Sequence, residues 1–283
     1  MIEQPPGSTV LRIRLGARLR RLRESRGVSA TEAARAIRAS DSKISRIELG
    51  RHAAREVDVA DLLTLYGVTD PAEREELLAM ASAAATPPWW HRSADVLPAW
   101  FQSYLGLEEA ARSVATYDPH VVPGLLQTQD YAAGLLRAGG LDDTDARRLL
   151  GVHSERISRF ATAGWRLDAT IEESVLRRPV GGPDVLASQL RQLREAAERP
   201  GVLIRIRPLD AQAPAVPSGF TIVRFDDPDL PDVVYTEQLT SASYLDRPAD
   251  VSRYADALGR LRSSSRPPEA TAAVIDAILA GLG

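Results

Sequence analysis

Apolar residues at Leu11, Leu15, Leu19 and Leu22 recur every three or four positions, the repeat that lines them up as one buried stripe of a helix. Arg12, Arg14, Arg18, Arg20, Arg21 and Arg23 fall elsewhere on that helix, and Gly27 stops it. A second helix is predicted from about Ala30 to Ile37, with Ser29 as cap and Ala33, Ala34 and Ile37 inward. A third starts at Ser40, buries Ile44 and Ile47, and ends at Gly50 in the left-handed conformation. A fourth runs roughly from Asp58 to Tyr66. The stretch "TDPAERE" then starts a fifth, reaching about Ala85: Asp70 is a cap, Pro71 sits at the first helical position, and Glu73 follows three residues after the cap.

The prolines of "TPPWWHR" break this helical run, and Trp89 and Trp90 mark a junction. Beyond Pro98 the period changes. Helical spacing over Trp100 to Arg112, Thr128 to Ala138, Asp145 to Ala163 and Pro183 to Glu198 alternates with β-branched stretches: "VATYD", "RLDATIEES", "GVLIRIRP", "GFTIVRFDD" and "DVVYTE". Two helical segments close the chain, one through Val251, Tyr254, Leu258 and Leu261 and one in "RPPEATAAVIDAILAGL". The reading is an α+β protein: an all-helical domain over 1–86, a junction over 87–98, and a larger mixed domain over 99–283.

Charge sharpens that division. Residues 1–56 hold 13 Lys and Arg against 6 Asp and Glu, a net of +7, whereas 57–283 hold 22 against 32, a net of −10. A basic head on an acidic body is the asymmetry expected of a protein that docks on a polyanion without coating it indiscriminately. Absence of cysteine excludes disulfides, thiolate metal sites and cysteine nucleophiles. No apolar run approaches the roughly 18 residues of a membrane span, and the first ten residues lack signal-peptide character, so a cytoplasmic protein, nucleoid-associated when bound to DNA, is expected.

The second and third helices, with the tight turn between them, have the lengths of a helix-turn-helix, whose later helix enters the major groove. On that reading Ser40, Asp41, Ser42, Lys43 and Arg46 are presented to DNA, and Ser29 and Arg51 flank them. Lys43, the sole lysine of the chain, shares a face with Arg46, from which both can donate to guanine or to phosphates, while Asp41 or Ser42 can accept from a base amino group. Arginines between Arg12 and Arg26, with Arg51 and Arg55, would neutralise phosphates. One short helix reads few bases, so a homodimer on a palindromic operator is expected.

The segment "LGARLRRLRESRGVSATEAARAIRASDSKISRIELGRH" resembles the xenobiotic-response-element family of helix-turn-helix regulators, above all in "SKISRIELG". From there to Leu282, blocks such as "YGVTDPAEREELL", "WWHRSADVLPAWFQSYLGLEEAA", "YDPHVVPGLLQTQDYA", "ESVLRRPVGGPDVLASQLRQL" and "DPDLPDVVYTEQLTSASYLD" are similar to actinobacterial regulators in which such a domain precedes a domain of unknown function. That resemblance implies an antitoxin-like transcriptional regulator, often paired with a small acidic partner protein. Two positions depart from the family: Ala30 stands where glutamine is usual, and Arg38 stands in the turn where glycine is common, so it must adopt or avoid left-handed backbone.

Other chemistry is thinly signalled. His52, His91, His120 and His153 have no ligand spacing, Glu172 and Glu173 adjoin on a strand and so face opposite sides, and "RRPVGGPD" lacks the phosphate-loop lysine and the dinucleotide fingerprint. The expectation is a non-enzymatic regulator with no cofactor and no metal, controlled through its C-terminal domain by a small-molecule effector or a small partner protein. The alternative is an antitoxin that masks a partner toxin while regulating its own operon.

Overall fold

The computed structural model describes residues 8–50, 52–164, 166–211, 216, 218–227 and 230–282. It divides into two compact units, Met1–Arg92 with Phe101–Ala110 and Asp226–Leu230, and Ser93–Trp100 with Ala111–Phe225 and Pro231–Gly283.

The first unit is helical: α1 (Ser8–Ser25), α2 (Ala30–Ala36), α3 (Asp41–Glu48), α4 (Glu56–Leu65), α5 (Pro71–Ala84) and most of α6 (Ala99–Glu109). Leu15 and Leu19 of α1 meet Ala33 and Ala34 of α2, Ile44 and Ile47 of α3, and Val59, Leu62 and Leu63 of α4 in one apolar core. Glycines end three of these helices at positive φ: Gly27, Gly50 and Gly67. Gly16 lets α1 and α3 touch at the backbone, since a Cβ there would lie 2.4 Å from the Ile47 carbonyl oxygen. The sequence reading assigns α6 to the C-terminal domain, yet it packs in this unit: Gly106 abuts Thr9 of α1. Arg14 likewise reaches Asp227, at 2.6 Å.

The second unit is built on a six-stranded sheet, β1 (Ser113–Asp118), β2 (Arg166–Glu172), β3 (Val202–Arg207), β4 (Phe220–Arg224), β5 (Val233–Glu237) and β6 (Ala242–Leu245), in the order β3-β2-β1-β4-β5-β6. The first three are parallel, joined through α7 (Gln129–Ala138), α8 (Asp143–Ala163) and α9 (Pro183–Ala197); the last three run antiparallel. One sheet face packs under α10 (Pro248–Ser263), where Ala115, Tyr117, Phe220, Ile222 and Val234 meet Ala257, Leu258 and Leu261. At the β3 edge, Arg266 N donates to Ile206 O at 2.8 Å and the Thr271 hydroxyl at the start of α11 (Thr271–Ala280) to Ile204 O at 2.6 Å. Covering carbonyls in this way blunts an edge that would otherwise invite strand pairing. The α+β class read from the sequence holds. Four of its five β-branched stretches after Pro98 frame strands within a residue or two at each end; the fourth, "GFTIVRFDD", forms strand only over Phe220–Arg224, and β6 had no such signal.

Candidate nucleic-acid interface

Sequence chemistry fixes both ends of the motif. Ser29 and Glu32 form a reciprocal cap on α2: the Ser29 hydroxyl accepts from Glu32 N at 3.2 Å, and the Glu32 carboxylate accepts from Ser29 N at 2.8 Å. The turn that follows places Arg38 at φ 53°, so that Ala39 N reaches Ala34 O at 2.8 Å and Arg38 N reaches Arg35 O at 3.1 Å. This is the hydrogen-bond pattern that glycine usually serves at a helix C-terminus. Ser40 then caps α3, accepting from Lys43 N at 3.3 Å, and its hydroxyl lies 2.9 Å from that of Ser42.

Two ion pairs, each to a buried carboxylate, brace α3. Arg23 of α1 grips Glu48 bidentately, Nε to Oε1 at 2.7 Å and Nη2 to Oε2 at 2.9 Å, and its remaining nitrogen donates to Val28 O at 3.0 Å. That fork raises the Arg23 guanidinium above its ordinary value, and burial beside the pair pushes the Tyr66 phenol up. On the other side, Asp58 of α4, only 2 % exposed, accepts from Arg55 Nη2 at 2.6 Å and Nε at 3.1 Å and from Lys43 Nζ at 2.9 Å. Hydrogen bonding to Arg55, then to Lys43, holds the Asp58 carboxyl below its ordinary value against the opposing effect of burial.

The side chains expected to meet DNA therefore separate into two sets. Lys43 does not project: its ammonium turns back to Asp58, and the side chain is 24 % exposed. The cause is the carboxylate of α4, whose burial requires a cationic partner. Asp41 is exposed and accepts from the Thr31 hydroxyl at 2.6 Å, Ser42 is exposed, and Arg46 is exposed with its Nε on Ser42 O at 3.2 Å. Ser45 and Leu49 join them on the outward face, and the sequence reading missed both. Helical arithmetic carried the signal: with Ile44 and Ile47 inward, positions 41, 42, 45, 46 and 49 share the opposite side. Arg51 lies outside the described residues. Several arginines expected on phosphates are instead paired within the unit, Arg18 with Glu73, Arg20 with Glu24, and Arg23 with Glu48, while Arg35 and Arg38 stand exposed beside α3. A short helix offering a carboxylate, two hydroxyls, a guanidinium and a leucine from a rigid seat has the chemistry for base edges and a thymine methyl.

The remaining candidates resolve into structural pairs. Glu172 accepts from Tyr117 OH at 2.7 Å and from Arg207 at 3.1 Å, and Glu173 pairs with Arg177. Among the described residues no group of three or more His, Cys, Asp or Glu side chains is placed to hold a metal ion, and no helix is long and apolar enough to cross a membrane.

Two family models match the chain. Residues 14–77 match the model of a Helix-turn-helix domain, the head of a DNA-binding regulator, and residues 101–277 match that of the Domain of unknown function (DUF5753). No curated protein and no solved structure matches the chain significantly. Since the second match spans more than half of the sequence, the chain belongs to the DUF5753 family, with a helix-turn-helix domain at its N-terminal side.

Proposed function

We propose that this protein is a sequence-specific transcriptional regulator of the xenobiotic-response-element type that binds a palindromic operator as a homodimer. In this reading α3 enters the major groove and Asp41, Ser42, Ser45, Arg46 and Leu49 read it. Arg35 and Arg38 approach the flanking phosphates, and Lys43 acts from behind by holding the helix on Asp58. The C-terminal domain sets the half-site spacing and responds to an effector or a small partner protein. The protein is taken to be cytoplasmic and without catalytic activity or cofactor. The observation that carries the reading is the outward face of α3, polar and exposed on a helix whose inner side is held by ion pairs to two buried carboxylates.

Selection of bound duplexes from a random pool tests it. The expected product is an inverted repeat whose half-sites lie about 34–36 Å apart, one turn or a multiple of it. Arg46→Ala should weaken the selected site by about 1–3 kcal/mol and relax preference at one position. Recovery of no preferred sequence, or of a preference that Arg46→Ala and Ser45→Ala both leave intact, would remove the assignment of α3. The sequence resemblance supports an antitoxin-like, actinobacterial character for this regulator.

A further inference from the structure

The second unit carries an arginine cluster out of keeping with its acidic surroundings. On the α10 face of the sheet, Asp168 of β2 is shared by two guanidinium groups: Arg205 of β3 donates to Oδ1, and Arg262 of α10 lies 2.8 Å from Oδ2. Each oxygen is thus taken by a different cation. Among the described residues Asp168 is the sole carboxylate paired with either arginine, which leaves one positive charge in excess. The three side chains are 19 %, 31 % and 19 % exposed for Arg205, Arg262 and Asp168, so water screens that excess poorly. The C-terminal end of α10 offers roughly half a negative charge, too little to cancel it.

Strand alternation adds two more arginines to the same face. Arg166 lies two residues before Asp168 on β2, about 7 Å along the strand, and is exposed. Arg224 of β4 lies opposite Ser113, which lies opposite Arg166, about 10 Å across two strand spacings. Asp232 pairs with Arg224 at 3.2 Å and Glu172 with Arg207 at 3.1 Å, so Arg166, Arg205, Arg207, Arg224 and Arg262 face Asp168, Glu172 and Asp232, and the cations remain in excess. Two donors in this group are buried and unmatched among the described residues: Arg262 Nε, and the hydroxyl of Thr170, which stands opposite Arg205 in register and is itself 0 % exposed. Burial, and after it the like charges of Arg205 and Arg224, hold the Arg262 guanidinium below its ordinary value against the pull of Asp168. Crowded guanidinium forks with spare donors are the arrangement that recognises planar or tetrahedral oxyanions.

We propose that Arg205, Arg262 and Arg166, gathered around Asp168 on the sheet, form a binding site for a small polyanion carrying phosphate or several carboxylates. The ligand completes the charge balance that Asp168 leaves short, and as it bridges β2, β3 and α10 it ties the end of α10 to the sheet. This goes beyond the operator-binding reading and stands without it, because the site lies wholly within the second unit.

The test is calorimetric titration of the full chain, at fixed ionic strength, with inorganic phosphate, pyrophosphate and citrate. At least one should bind with Kd below about 1 mM, and preference for pyrophosphate or for citrate identifies a phosphoryl or a carboxylate ligand. Arg262→Gln should weaken that binding about tenfold or more, and Arg166→Gln, an exposed change that leaves the fold intact, about threefold. Asp168→Asn should tighten it, because removal of the resident carboxylate hands both forks to the ligand; a purely structural brace would give no such gain. Arg46→Ala should leave it unchanged, which separates this site from anions held at the DNA face. Absence of binding by all three anions overturns the proposal, and so does binding indifferent to both Arg262→Gln and Arg166→Gln, or weakened by Asp168→Asn.

Discussion

Arginine does opposite work in the two units. Around α3, Arg23 locks Glu48, and Arg55 holds the buried Asp58 carboxylate that Lys43 of α3 engages, so that the helix is seated with its other side outward. On the sheet, Arg205, Arg207 and Arg262 pair with Asp168 and Glu172 of one strand, stitching β2 to β3 and to α10. The first arrangement spends its ion pairs on placing something else, and the second on joining the elements that carry them. A brace should therefore matter to binding through geometry, whereas a stitch should matter to stability alone or to a ligand that shares it.

The most severe way to break the brace is to push α1 away from α3. Gly16→Ala brings a Cβ to 2.4 Å from Ile47 O and 2.7 Å from Glu48 O, and backbone cannot step aside as a flexible side chain would. The helices must separate, which moves Arg23 off Glu48. Urea unfolding should show a loss of about 3 kcal/mol, and DNA affinity should fall further than the folded fraction accounts for.

Next in size is Asp58→Asn, which leaves Lys43 and Arg55 without their carboxylate and should cost about 2 kcal/mol, the exposure of Arg55 tempering the loss. This pair also predicts a pH dependence. The Asp58 carboxyl titrates below its ordinary value of 3.8 in the folded protein, so its contribution is present in full above that value. It is lost as the pH falls from about 4 through the lower folded value, because the unfolded chain takes up the proton first. Stability measured between pH 6 and pH 3 should fall less steeply in the Asn variant than in the parent. An equal slope in both would mean that Asp58 is not held by these cations.

Salt dependence distinguishes bracing residues from reading ones. Each cation that displaces counterions from DNA contributes about 0.9 to the slope of log affinity against log salt. Arg46→Ala should reduce that slope by about one such step. Lys43→Ala should leave the slope nearly unchanged and instead lower stability by about 1–2 kcal/mol, because its charge is already spent on Asp58. A full step lost on removing Lys43 would restore it to the reading face and dissolve the contrast drawn above.

The chain displayed its elements more readily than their partnerships. Stripes such as Leu11, Leu15, Leu19 and Leu22, caps such as Ser29, Ser40 and Asp70, and runs such as "VLIRIR" are local, and local chemistry decides them. β6 escaped notice because "ASYL" lacks β-branched residues and exists as strand through pairing with β5. The placement of α6 turned on Gly106 lying against Thr9, nearly a hundred positions away in sequence. In the candidate interface, the outward direction of Asp41, Ser42 and Arg46 was legible because helical spacing sets it. Lys43 was not, since what redirects it is a buried carboxylate fifteen residues on, brought near by the packing of α4.

The smallest effect concerns the turn that sets α3 relative to α2. Three helix ends in this unit use glycine at positive φ, and the fourth uses Arg38 at φ 53°, where a side chain costs about 1 kcal/mol. The same hydrogen bonds, Ala39 N to Ala34 O and Arg38 N to Arg35 O, are available to glycine without that cost. Arg38→Gly should raise stability by roughly 0.5–1 kcal/mol, less than the full strain because glycine also enlarges the freedom of the unfolded chain. If the exposed Arg38 guanidinium meets a phosphate, the same change should lower DNA affinity and shave the salt slope by about 0.9. A more stable variant that binds more weakly would show that strain is tolerated at this turn because the side chain it carries is used. A more stable variant with unaltered binding would reduce Arg38 to a plain defect of the turn and leave α3 to act without it.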